Sequence, residues 1–137
     1  MKPILPWILG AAAVAFGVVT LVVGGSVLLD IGSARADHGE YVPFVLWFNV
    51  LAGFAYVAAG IGLALRRRWA GLVAVVIAAG TAITTLALGG HILSGGAFER
   101  ETVMAMGVRF VFWTGISIFA FLSHRRGPSP APPESTP

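Results

Sequence analysis

At 137 residues the chain is short enough for a single domain. It is 57% hydrophobic and only 11% charged, with a mean hydropathy of +0.87. A soluble domain needs about a quarter charged residues to wet its surface, so lipid must be the main solvent here. The absence of cysteine excludes disulfides, thiolate metal sites, iron–sulfur clusters and thiol redox chemistry, and the basic residues cluster at the ends of apolar runs, which is an orientation signal rather than a nucleic-acid surface.

A helix crossing the hydrocarbon core needs about 20 apolar residues. Four segments meet that requirement, at about 4–29, 43–65, 69–93 and 102–122. The first follows Lys2 and runs to Ala34-Arg35-Ala36, an outline faintly like a signal peptide. Its apolar run far exceeds the ~7–15 residues of a signal h-region, so it is read as a retained span. A polar loop, 30–42, leads to the second span, and Arg66-Arg67-Arg68 forms a tight turn into the third. A glycine-containing loop, 94–101, precedes the fourth. Residues 1–126 therefore form an all-α membrane domain, an antiparallel four-transmembrane-helix bundle, and 127–137 form a Pro/Ser-rich tail expected to be disordered.

Alternate threading places Lys2, Arg66, Arg67, Arg68, Arg125 and Arg126 on one side. The other side receives Arg35 and Arg100 with five of the six acidic residues, Asp30, Asp37, Glu40, Glu99 and Glu101. The Lys/Arg bias puts the basic side, with both termini, in the cytoplasm of a bacterial inner membrane. Two acidic outer loops, each with a histidine nearby, and the pair Phe44-Val-Leu-Trp47 and Phe110-Val-Phe-Trp113 suggest parallel repeats about an axis along the membrane normal.

Lipid gives helices no hydrophobic reason to associate, so small residues mark contact faces. Span one carries Gly10, Ala13, Gly17, Thr20 and Gly24 on one stripe. Span two carries Asn49, Ala52, Gly53, Tyr56, Ala59 and Gly60, and span three Ala70, Ala74, Ala78 and Ala82. Span four instead bears Phe110, Phe112, Trp113, Phe119 and Phe121, which predicts a face toward lipid, a partner subunit or a bulky apolar ligand.

Polar residues inside spans gather in the outer half, and the inner half reads as sealed. Arg109 is the only charge within a span, and such charges face the bundle interior or water. Asn49 lies at similar depth, and Thr81, Thr84, Leu88 and His91 share a stripe on span three; Ser26 and Asp30 add polarity to span one. Either Arg109 snorkels outward to pair with Glu99, Glu101 or Asp30, or it anchors a ligand in an outward-opening pocket. In the second case Asn49, Thr84 and Tyr56 orient the ligand and His91 sits at the rim. A metal site for zinc or copper from His38, His91, Asp37, Glu40 and Glu99 is a further option, although the spacing matches no ligand motif. No resident cofactor is otherwise expected. The positions of His38, His91 and His124 do not suit a bis-histidine haem, and no nucleophile, Walker or dinucleotide motif is present.

The stretches Tyr41-Val-Pro-Phe-Val-Leu-Trp-Phe-Asn49, Gly53-Phe-Ala-Tyr56, Gly95-Gly-Ala-Phe-Glu-Arg100 and Thr102-Val-Met-Ala-Met106 resemble a family of small four-span bacterial inner-membrane proteins. That resemblance implies the fold and location and brings no activity, substrate or site. The leading expectation is a non-enzymatic inner-membrane subunit or accessory protein, acting with another membrane protein or as a homo-oligomer through span four and the outer loops. The alternative is a small transporter or sensor of an extracytoplasmic polar solute or metal ion, built on the outer polar cluster.

Overall fold

A computed structural model describes residues 4–32, 36 and 41–126. Four long helices dominate these residues: α1 Leu5–Leu28, α2 Pro43–Ala64, α3 Arg68–Leu93 and α4 Arg100–Arg125. Each is long and apolar enough to cross a membrane, and the chain is a multi-pass membrane protein built as an all-α four-helix bundle. Short connections make sequential helices antiparallel. Expected and observed boundaries agree closely except in α4, which is longer at both ends. The added turns carry Arg100, Glu101 and Arg125, charged residues that at a membrane rim remain helical while their heads reach water.

The helix ends are built by local backbone chemistry. Pro43 follows the extended residue Val42 and opens α2, a position where proline's missing N–H costs nothing. At the end of α1, Asp30 N–H donates to the Val27 carbonyl and Ile31 N–H to that of Ser26. The same pair of bonds closes α2, from Arg66 to Leu63 and from Arg67 to Gly62, and α3, from Gly95 to Ile92 and from Gly96 to His91. This Schellman arrangement puts its turning residue in the left-handed region. Gly95 takes that role after α3 with φ +80°, whereas Asp30 and Arg66 adopt φ values of +53° and +56°.

The tightest helix pair is α1 with α2. A Cβ built on Gly10 would lie 2.6 Å from the Gly60 carbonyl oxygen, and one on Gly60 2.7 Å from that of Gly10. Gly17 and Gly53 face each other in the same seam. The predicted small-residue stripes of spans one and two are thus one interface, where close backbone approach maximises dispersion contacts. Helix α3 packs on α2 and α4 on α3, but α1 and α4 make no comparably close backbone approach. Side chains bridge them instead.

The alanine stripe expected on α3 is only partly the buried face. Ala70 and Ala74 are fully buried, but the face continues through Ile77, Thr81, Thr84 and Leu88 rather than Ala78 and Ala82. At about 100° per residue a strict four-residue repeat drifts by ~40° per step, so a contact face must alternate steps of three and four.

Helix α4 is not simply a lipid-facing helix. Trp113 is 0% exposed and packs with Tyr56, Ala59, Ala74 and Ile116 in the main core. Phe112 packs against that core, while Phe110 and Phe121 point outward. The repeat expectation gains nothing from these positions, since Trp47 is 53% exposed where Trp113 is buried. Around the bundle, exposed Val22, Leu51, Phe54, Leu72, Ile83, Leu86 and Val111 form the apolar exterior of helices solvated by lipid.

Candidate functional site

Near its middle the bundle is crossed by a layer of rings. Phe16 of α1 stacks on Tyr56 of α2 at 5.7 Å with an interplanar angle of 16°, and meets Phe112 of α4 at 5.4 Å. Tyr56 in turn contacts Trp113 at 4.8 Å. Three helices supply these rings, so the layer closes the gap that the backbones of α1 and α4 leave open.

Above this layer, toward the acidic end, α1, α2 and α4 enclose a cavity of about 250 Å³. Val19, Val23 and Val27 of α1 and Val45 of α2 make its walls apolar. Asn49 and Arg109 supply polarity deep in it, and Glu99, Glu101 and Thr102 line it nearer the start of α4. Arg109 is nine residues into α4, roughly 13 Å along the helix axis. Its Cζ lies 5.7 Å from the centre of the Phe16 ring, on the face where the π-electrons attract a cation.

Polar groups in the cavity and in the ring layer beneath it are left without partners. Asn49 Oδ1, Arg109 Nε, the Tyr56 hydroxyl and Trp113 Nε1 are all buried and make no hydrogen bond. Thr81, Trp113 and Arg109 surround the Tyr56 hydroxyl, but none stands at hydrogen-bonding geometry to it. The guanidinium forms no ion pair with Glu99 or Glu101, although all three residues line the same cavity; its neighbours are the Phe16 face and Tyr56. The carboxylate of Glu99 instead accepts a 3.2 Å bond from the Thr102 hydroxyl across the first turn of α4. Burying an unpaired polar atom costs on the order of 1–3 kcal/mol. Two of these atoms, Asn49 Oδ1 and Arg109 Nε, belong to residues that line one cavity, an arrangement that suits a polar ligand.

The sequence-predicted residues divide. Arg109 and Asn49 line the cavity, and Tyr56 lies within the ring layer rather than on the cavity wall. Thr84 is buried on α3, which contributes nothing to the lining, and so is not brought to the ligand space. His91 is likewise elsewhere. Its Nε2 lies 2.9 Å from the Ala97 carbonyl oxygen and its ring meets Phe44 edge-on at 6.1 Å, so it ties the α3–α4 loop to the bundle. Among the described residues no group of three or more His, Asp or Glu side chains comes together to hold a metal ion. His38, Asp37 and Glu40 lie outside the described residues, as does the tail from residue 127.

Phe16 and the valines of α1 were missed as site residues. Nothing in their chemistry marks them, and only the third-and-fourth spacing of Phe16, Val19, Val23 and Val27 hints at a shared face. The inner half is also less sealed than expected. A second cavity, of about 350 Å³, opens at the basic end, lined by Arg66, Arg67, Ser123, His124 and Arg126 beside apolar Leu63 and Phe119. At this end Gly71 of α3 lies close to Ala120 of α4, and Leu5 and Pro6 at the start of α1 also line the cavity.

Comparison with protein-family models, with curated proteins and with solved structures finds no match for this chain.

Proposed function

We propose that the chain is a membrane-embedded binding protein, a sensor or a transport subunit, whose acidic-end cavity takes a small organic acid. One observation carries this reading. Arg109, whose Nε is buried without a partner, lines the same cavity as Asn49, whose Oδ1 is likewise unpaired, and among the described residues no carboxylate pairs with the guanidinium. A carboxylate is the natural partner of a guanidinium, because two parallel N–H···O bonds match its geometry. Apolar valine walls favour an acid with a short hydrocarbon body over an inorganic anion. The carboxamide of Asn49 can donate to the ligand or accept from it.

The Lys/Arg bias supports placing the basic end in the cytoplasm of a bacterial inner membrane, so that the cavity opens to the cell exterior or periplasm. Thermal unfolding in detergent against a panel of short-chain carboxylates tests the reading. At least one acid is expected to stabilise the wild-type protein, to act weakly on Arg109→Lys and to leave Arg109→Leu unchanged. Equal stabilisation of wild type and Arg109→Leu, or none across the panel, sinks it.

A second reading, an accessory subunit that acts through α4, draws on the outward face of that helix, where Phe110, Val111, Ile118 and Phe121 are exposed. Sizing after gentle detergent extraction tests it. A lone monomer with nothing co-purifying counts against a partner.

A further inference from the structure

The cavity at the basic end has a different chemistry from the one just described. Three arginines, Arg66, Arg67 and Arg126, line it together with Ser123 and His124. Among the described residues no carboxylate is on its walls, and Asp30, Glu99 and Glu101, the acidic side chains among them, belong to the opposite end of the helices. Like charges repel when gathered around one space, and the repulsion is relieved when an anion sits among them.

The backbone gives an independent sign. Arg66 occupies the left-handed position of the Schellman turn that ends α2, at φ +56°. Glycine fills the equivalent position after α3, where a side chain would be strained. The arginine held there lines the cavity together with Arg67, and the turn is fixed by the 3.0 Å Arg66-to-Leu63 and 2.8 Å Arg67-to-Gly62 bonds. Strain kept at a position where glycine would relax it points to a use for the side chain. Two nearby arginines are accounted for differently. Arg125 lies 4.4 Å from the centre of its own helix's Phe121 ring, and Arg68 begins α3 without lining the cavity.

We propose that this cavity binds a phosphate group, through Arg66, Arg67 and Arg126 with Ser123 and His124 as further hydrogen-bonding groups. A phosphate offers enough acceptor oxygens for several guanidinium forks at once. Leu63 and Phe119 give the same cavity an apolar wall, which suits the glycerol and upper chain of an anionic phospholipid. Free phosphate presents the same oxygens without the chain.

The test uses the full-length protein in detergent and reads both the thermal midpoint and retained ligand by native mass spectrometry. Phosphatidylglycerol, phosphatidylcholine and inorganic phosphate are added separately. Phosphatidylglycerol is expected to raise the midpoint and to remain bound, with phosphatidylcholine doing neither. A comparable shift with inorganic phosphate alone identifies a soluble source; a shift confined to phosphatidylglycerol identifies the lipid.

Arg66→Gly relaxes the turn, so it is expected to raise the ligand-free midpoint while weakening the anion's apparent affinity about tenfold or more. Arg126→Gln, at the end of α4 and outside the turn, is expected to weaken it similarly. Arg68→Gln and Arg125→Gln should leave it unchanged. Equal responses to both lipids, or full retention of the response in Arg66→Gly and Arg126→Gln, overturns the proposal.

Discussion

Arg109 and Tyr56 show how a polar residue can sit inside a membrane bundle without being satisfied by it. The guanidinium lies over Phe16 and beside the Tyr56 hydroxyl, which itself makes no hydrogen bond. Tyr56→Phe removes no bond and leaves every ring contact in place. The expected result is an unfolding midpoint equal to or above the wild type; a fall of several degrees would show that the hydroxyl has a partner. His91 teaches the opposite lesson, because its ring is committed to the Ala97 carbonyl. A Cβ on Gly96 would collide with the ring of His91. Gly96→Ala is therefore expected to free the α3–α4 loop, read as faster amide exchange over residues 94–99 with little change in the helices. The depth of Arg109 and Asn49 was legible from their positions along apolar runs. The fate of His91 was not, since a loop carbonyl six residues away in sequence leaves no pattern.

Between elements, the quality of packing depends on which atoms a small residue touches. Gly60 faces backbone, with a built Cβ 2.7 Å from the Gly10 oxygen and 2.8 Å from the Val14 nitrogen. Gly53 faces chiefly the side chain of Leu21, which can turn away. Gly60→Ala should cost about 1–3 kcal/mol, and Gly53→Ala less than about 1 kcal/mol. Thermal unfolding of the two variants side by side checks the order, and a reversed order would contradict the seam as described. Spacing on α1 and α2 revealed this seam because small residues recur at helical intervals. The face of α3 was harder to read. Alanine is small enough to suit either a contact or a lipid-facing position, whereas Thr81 and Leu88 gave no size cue that they would be buried. Aromatic content misled for α4, since Phe and Trp suit lipid and core equally and only the partner ring at Tyr56 decides for Trp113.

At the scale of the whole molecule the two ends differ in sign and in chemistry. One cavity offers a single guanidinium among valines, and the other offers several beside an apolar wall. The orientation argued from Lys/Arg bias can be read directly, because the chain has no cysteine to interfere. Ala97→Cys at the acidic end should react with a membrane-impermeant maleimide applied to intact cells, and Arg68→Cys at the basic end only after permeabilisation. The reverse pattern would invert the topology. Span number and approximate boundaries could be read from hydropathy alone, because lipid forces every backbone group to pair within its own helix. The cavities could not. They arise from helix-to-helix distances, set where three or four side chains from separate spans meet.

The open seam between α1 and α4 also bears on how the molecule is assembled. The close helix pairs join neighbours in the chain, α1 to α2, α2 to α3 and α3 to α4. Contacts between neighbours have the lowest entropy of closure, so each helix can dock as soon as it follows its predecessor into the bilayer. The α1–α2 pair, with the densest seam, needs nothing from α4 to form. What α4 adds last is Arg109, Phe112 and Trp113, so the acidic-end cavity does not exist until the final span has entered the membrane.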